Sequence, residues 1–369
     1  MLKSVSQYLN KLQEGLFPGF AQELGPTSEK HGQLMVILDV VRVEDFIVVD
    51  PYPLSAGRPP SDRVALARAF VAKAVLNIPT TVALIDRLQA DVVTRRVCGW
   101  ESGRKIPCEA TFSNAFAEFS KTKLPEQIHA KMVKNALENE LVFHISRDST
   151  AIESREKIAP KSERKDEGNT EPKRGKGRPK KGEIVPPKEP TRLEMQQAQS
   201  LEEMLMNIPT NATKGVKRNS QGFQVGWKGF KLHIDTADGG IPISCLLTSA
   251  SMHDSGASVP LEMITNSRVT SLYTLMDSAY DAPIIRTHVE KYGKVAIIDS
   301  NPRRGEKIEF TTPQKERYKV RSTAERANAR IKDDFGGRYV RVKGPMKVMC
   351  HLMFGVIALT AEQLVKVFS

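Results

Sequence analysis

Residues 223–251 narrow what this chain can fold into more than any other stretch. Phe230, Leu232 and Ile234 alternate with Lys231, His233 and Asp235, the two-residue period of a strand with one polar face. Ala237-Asp-Gly-Gly240 reads as a hairpin turn, and residues 241–251 return as a further strand. Such a hairpin needs more sheet and a helical cover to bury its apolar face, and the flanking sequence offers both. Residues 141–148 form a strand ahead of it that ends in Asp148-Ser-Thr. Behind it come a helix capped by Asp254 or Ser255, reaching about residue 264, and a strand over 271–277 that ends in Asp277. A helix over 282–292, a strand over 294–299, a helix that begins near Tyr318 and a last apolar helix over 346–368 complete the order.

At 369 residues the chain is expected to form two or three domains. Residues 1–57 are mixed, with a helix over 32–42 and an extended piece over 44–51. Residues 58–138 read as helical and DNA-binding: a helix starts after Ser61 or Asp62, a second covers 81–90 behind Thr80, and two more cover 114–121 and 125–138. Residues 139–152 and 220–369 carry the strands. Between them, residues 153–219 change composition to Lys, Arg, Glu and Pro, which predicts a largely disordered insertion with one amphipathic helix over 194–206. Inside it, Lys173-Arg-Gly-Lys-Gly-Arg-Pro-Lys-Lys181 resembles an AT-hook, in which Arg174 and Arg178 would enter a narrow A/T minor groove.

The net charge of +12 and the isoelectric point near 9.4 favour a polyanionic partner. The N-terminus lacks the unbroken apolar core of a signal peptide. The most apolar stretch, 348–361, contains His351 and falls short of the ~20 residues of a membrane span, so a buried helix and no membrane are expected. Four cysteines without a C-x-x-C pair indicate neither a disulfide framework nor zinc, and a reducing cytoplasm suits them.

The helix near Tyr318 carries an unusual stripe. At about 100° per residue, Tyr318, Arg321, Glu325 and Lys332 fall within an arc of about 60°. A carboxylate flanked by two cations and a phenol makes a poor core face and a good phosphate-facing one. The element order resembles that of a ribonuclease-H-like α/β fold, in which strands one and four lie side by side; Asp148 and Asp277 would then meet at their ends and the late helix could lean Glu325 over them. Three convergent carboxylates suit hard Mg²⁺ or Mn²⁺, and two such ions about 4 Å apart support in-line phosphoryl displacement.

Asp148-Ser-Thr, Gly229-Phe-Lys-Leu-His233, Ser251-Met-His-Asp254-Ser, Leu275-Met-Asp277-Ser-Ala-Tyr280 and Tyr318-x2-Arg321-x3-Glu325-x6-Lys332 together resemble the bacterial insertion-sequence DDE transposases. Residues 58–120 are similar to that family's N-terminal domain. The resemblance implies a ribonuclease-H-like, mixed five-stranded sheet flanked by helices, preceded by an all-helical domain and interrupted by the charged insertion. It makes Asp148, Asp277 and Glu325 the catalytic and metal-binding triad, and Tyr318, Arg321 and Lys332 contacts to transposon-end phosphates. Partners would be double-stranded DNA, both terminal inverted repeats and target, with a homodimer in the synaptic complex and a nucleoid-associated location in the cytoplasm. The competing readings are a catalytically inactive DNA-binding relative and a structure-specific nuclease of the same fold. Asp254 is expected to be a helix N-cap, His233 a structural hydrogen-bonding residue, and Asp299 a turn residue on the far side from the triad. Trp100 and Trp227 are expected in the core or stacked.

Overall fold

The structure, a computed structural model, describes residues 27–47, 61–158, 190–218, 221–302 and 306–368. Four of its six described N-terminal helices begin where short polar side chains accept free backbone N–H groups. The six are α1 (Glu29–Val41), α2 (Arg63–Val75), α3 (Thr81–Ala90), α4 (Val92–Cys98), α5 (Glu109–Thr122) and α6 (Leu124–Leu137). Asp62 accepts from Val64 and Ala65, Thr80 from Ala83 and Asp91 from Thr94. The sequence reading misses α4, a short helix whose N-cap Asp91 is also the residue that ends α3. Residues 43–46 are a 3₁₀ turn rather than an extended piece, because Arg42 takes a left-handed conformation (φ 44°) and turns the chain.

Three elements stand in the segment expected to be the insertion. Helices α7 (Arg192–Gln196) and α8 (Leu201–Asn207) replace the single expected helix, each with its own capping box, Thr191 with Glu194 and Ser200 with Glu203. Strand β2 (Thr213–Arg218) follows. Among the described residues the sheet therefore has six strands, not the five expected. Its remaining members are β1 (Leu141–Glu153), β3 (Gln224–Ala237), β4 (Pro242–Ser249), β5 (Thr270–Met276) and β6 (Val295–Ile298). Its order is β2-β3-β1-β5-β6, and β3 pairs with β2 along its first half and with β4 along its second. Gly229 marks the change of partner: at φ 145°, any Cβ there would stand 2.2 Å from the Ile152 carbonyl oxygen. The β1–β3 pair is antiparallel, whereas β1–β5 and β5–β6 are parallel. This is the mixed, helix-flanked sheet that the sequence predicts, with strands one and four of that reading side by side.

Helices α9 (Ser255–Asn266) and α10 (Pro283–Glu290) pack near β4 and β6, whereas α12 (Ser322–Asp333) packs on β1 and β3. Helix α11 (Thr312–Tyr318) leads into α12 through a 3₁₀ turn, Lys319–Arg321. The last helix, α13 (Pro345–Phe368), is long and apolar enough to cross a membrane by length and composition. Here Leu352, Phe354, Val356, Ile357 and Leu359 are buried against α1, α2, α5, α6, α12 and β4. Phe354 sits 5.6 Å from Phe70 and 6.3 Å from Phe116, ring centre to ring centre. The expected buried helix thus joins the N-terminal helices and the sheet in one core. Trp100 and Trp227 are buried as expected, the latter donating to the Phe230 carbonyl at 3.0 Å.

Charge is also buried. Arg147 on β1 is wholly enclosed and donates from Nε and Nη2 to the two Asp235 carboxylate oxygens of β3, both at 2.7 Å. Nη2 also reaches Glu262 of α9 at 2.7 Å, Nη1 reaches Ser258, and Lys294 donates to Glu262 at 3.0 Å. Burial would raise the Glu262 pKa, yet Arg147 and Lys294 hold it below the usual range. Arg147→Met would leave two buried carboxylates facing one lysine, so a loss of about 3–5 kcal/mol is expected in urea unfolding. A loss under about 1 kcal/mol would show that the network contributes little.

Two of the buried histidines, His129 and His233, contribute to the acid sensitivity. Burial lowers His129 to about 3 and His233 to about 4, so both stay neutral in the folded chain. An unfolded histidine takes up a proton near pH 6.5, so stability is full above that value and falls as pH drops toward the folded values. Between pH 7 and pH 5 each is expected to remove about 2 kcal/mol. Urea midpoints at the two values measure this, and His233→Gln should flatten the dependence.

Candidate active site

Alternation along β1 turns Ser146 and Asp148 away from Arg147 and toward α12. Contrary to the sequence reading, Asp148 does not end its strand: β1 runs on to Glu153, and Asp148 pairs with Ile234 of β3. What ends at its level is the neighbour. The parallel register joins Ser146 to Leu275, so the residue following β5, Asp277, stands beside Asp148. Asp277 accepts from the Ala279 N–H at 3.0 Å and opens the 3₁₀ turn Ser278–Tyr280.

The single helix expected from Tyr318 to Lys332 is broken at Lys319–Arg321. The Val320 carbonyl there accepts from Ser146 Oγ at 3.2 Å and from Thr323 Oγ1 at 2.8 Å, which takes it out of a regular helical ladder. The break brings the Arg321 guanidinium to 5.8 Å from the Tyr318 ring and 3.9 Å from Asp148 Oδ1, and into an ion pair with Glu325. Tyr318 also packs on Phe310 at 4.8 Å. Lys332 does not join the group: it is half-buried among Lys217, Arg338, Asp333 and Glu153, with burial and the two cations lowering its pKa. Three members of the expected stripe therefore cluster over Asp148, and the fourth lies further along α12. Arg174 and Arg178 lie outside the described residues.

The electrostatics are those of acids short of countercharge. Burial raises Asp148 to about 6 despite the Asn328 amide at 2.9 Å and the facing Arg321, and Asp277 adds to the rise. Asp277 is raised too, by burial and by Asp254 and Asp299. Burial alone would lower Arg321; Tyr318, Glu325, Asp148 and Asp277 reverse that and raise it.

Four further residues belong to this neighbourhood. Asp299 is not on the far side: β6 lies next to β5, the Asp299 N–H donates to the Met276 carbonyl at 3.2 Å, and its carboxylate pairs with Lys307 at 2.8 Å. Asp254 stands at the N-cap position of α9 without a side-chain capping bond and pairs instead with Lys231 at 2.8 Å. Asn328 holds Asp148, and its spacing three residues after Glu325 is the signal that sequence reasoning passed over. Tyr280 is fully buried with its hydroxyl unpartnered among the described residues, and burial together with Asp254 and Asp148 drives its pKa well above normal. His233 keeps the structural role expected for it, bonding Thr248 at 2.9 Å.

Among the described residues no three acids, histidines or cysteines stand close enough to hold a metal ion. The donor set still fits one. Asp148, Asp277 and Glu325 offer oxygen alone, two of them carry raised pKa values, and the guanidinium between Asp148 and Glu325 occupies the place of a cation. Replacing Arg321 by Ala is expected to push the Asp148 carboxyl above its present value of about 6. A carboxyl ¹³C titration reads this, and an unmoved midpoint would mean the guanidinium charge is not felt there.

The family model described as transposase DDE domain matches residues 191–361, which include Asp277 and Glu325 and begin at α7. A second, described as transposase domain (DUF772), matches residues 27–118, from α1 into α5. No curated protein and no solved structure matches the chain. The two matches cover most of the chain, and with a mixed sheet that sets Asp148 beside Asp277 under an α12 bearing Glu325, the chain belongs to the insertion-sequence DDE transposases, the proteins of DNA transposition.

Proposed function

We propose that this chain cuts DNA at transposon ends and joins the freed 3′-hydroxyl to target DNA, with Asp148, Asp277 and Glu325 holding Mg²⁺ or Mn²⁺. The observation that carries the reading is the pair of raised carboxyls on adjacent parallel strands, faced by a cation that also binds the third. Bound there, one or two divalent ions would activate the attacking oxygen and stabilise the leaving one. The chain's own residues do the rest. Asn328 fixes the Asp148 carboxylate, and the Ala279 N–H fixes Asp277. Arg321 neutralises the acids while no metal is present; once released from Glu325 it becomes free to donate to a DNA phosphate beside Tyr318. Lys332, further along α12 and away from the acids, would contact a transposon-end phosphate. Terminal inverted repeats and target DNA are the substrates. Joining two ends requires a homodimer in the synaptic complex, and the protein works in the cytoplasm at the nucleoid. Arg174 and Arg178 supply minor-groove contacts.

A plasmid carrying the element's ends tests this. Asp148→Ala, Asp277→Ala and Glu325→Ala should each lower Mg²⁺-dependent cleavage about 10³-fold or more, while a gel shift with the end sequence persists. Cleavage surviving in all three would remove the triad. The hold of Arg321 on Glu325 favours one second reading, a relative that binds DNA without cutting it. A wild-type chain that shifts DNA with a steep salt dependence but never nicks plasmid with either metal would establish that alternative.

A further inference from the structure

A cavity of about 320 Å³ lies between the N-terminal helices and the segment that links α12 to α13. Its floor is aromatic, from Phe70, Phe116 and Phe354. Four cations line it: Lys73 of α2, Arg341 and Lys343 of the linking segment, and Lys347 in the first turn of α13. Against them stands one carboxylate, Glu109. His351 adds no charge, since burial holds it neutral near 4 and its Nε2 donates to the Gly336 carbonyl at 3.0 Å. None of the four cations has an ion pair or hydrogen bond among the described residues, whereas most lysines and arginines elsewhere in the fold have one. Burial and the nearby Arg341 lower Lys73 to about 8. Like charges gathered without counterions over an apolar floor destabilise the fold, and an anion relieves this.

We propose that this cavity is a phosphate-binding site, in which Lys73, Arg341, Lys343 and Lys347 hold one phosphate group. Its place favours a DNA backbone phosphate as the source, a choice that rests on the proposed function. Asn77, just beyond the end of α2, donates to the Asp333 carbonyl at the end of α12 at 2.6 Å. From Glu325 to Asp333 the helical rise is roughly 12 Å, so a duplex lying along α12 passes Lys332 and reaches the cavity within a few phosphates. A small phosphorylated ligand presents the same chemistry. The site clamps the N-terminal helices and the sheet unit onto one anion.

The test uses the full chain and the double variant Arg341→Gln/Lys343→Gln, whose side chains are exposed and do not build the core. A control, Lys134→Gln/Lys291→Gln, removes the same charge outside the cavity. In the first arm, salt titrations of duplex binding followed by anisotropy should show the log–log slope falling by about 2 in the cavity variant, with a loss of about tenfold or more in affinity. In the second, inorganic phosphate is compared with chloride at equal ionic strength, and phosphate should raise the melting temperature of the wild type but not of the cavity variant. A changed slope specific to the cavity variant identifies DNA as the source; a change in the phosphate arm alone identifies a free phosphate. If neither arm separates the cavity variant from the wild type, or if the control loses as much in both, the proposal is overturned. Lys73→Met adds an opposite-signed readout: melting temperature should rise as the repelled, buried charge goes, while phosphate or DNA binding weakens; a fall in melting temperature with intact binding would count against the site. Neither arm measures cleavage, so Asp277→Ala plasmid assays report on the proposed function separately.

Discussion

Arg147 fixes the geometry on which the site depends. One guanidinium, enclosed at the centre of the sheet, grips Asp235 on β3 and Glu262 and Ser258 on α9. A slip of one residue between β1 and β3 would exchange the two faces, leaving a buried guanidinium without acids and Asp148 turned into the α9 layer. The register that pairs Arg147 with Asp235 therefore also points Asp148 toward α12. The neutral interior of a typical sheet would fix register by shape alone. Here charge does it as well, because a mispaired buried charge costs several kcal/mol.

On the opposite face the charge balance runs the other way. Asp148 and Asp277 are desolvated and mutually repelling, and Arg321 faces both and Glu325 together. Desolvation and mutual repulsion raise both carboxyls, and the Arg321 guanidinium supplies the facing positive charge. Ser146 contributes by drawing the Val320 carbonyl to β1.

Much of this was legible in the chain. The alternation in residues 230–235, the Gly-rich turn after Ala237 and the caps at Asp62 and Thr80 are local signals, and local backbone chemistry decides them. Asp277 was legible for the same reason, as a polar residue at the limit of an apolar run, whereas Asp148 lies inside a strand that continues to Glu153. Asp299, Asp254 and Asn328 were not. Asp299 was placed away from the triad because strand order is a matter of which edge is free, and Asp254 was read as a cap because its pairing with Lys231 crosses from β3 to α9. Strand β2 was hidden by composition: Thr213-Lys-Gly-Val-Lys-Arg218 has little apolar content and holds only because β3 supplies the ladder.

The sequence by itself determined the order of the main strands, the helix caps at Asp62 and Thr80 and the basic character, since each rests on periodicity, turn chemistry or charge within a few residues. Only the tertiary structure decided that β1 runs past Asp148, that Glu325 is held by Arg321, and that four cations without an ion pair among the described residues share one cavity. Those facts depend on long-range packing and on the balance between burial and countercharge, which no local pattern in the chain records.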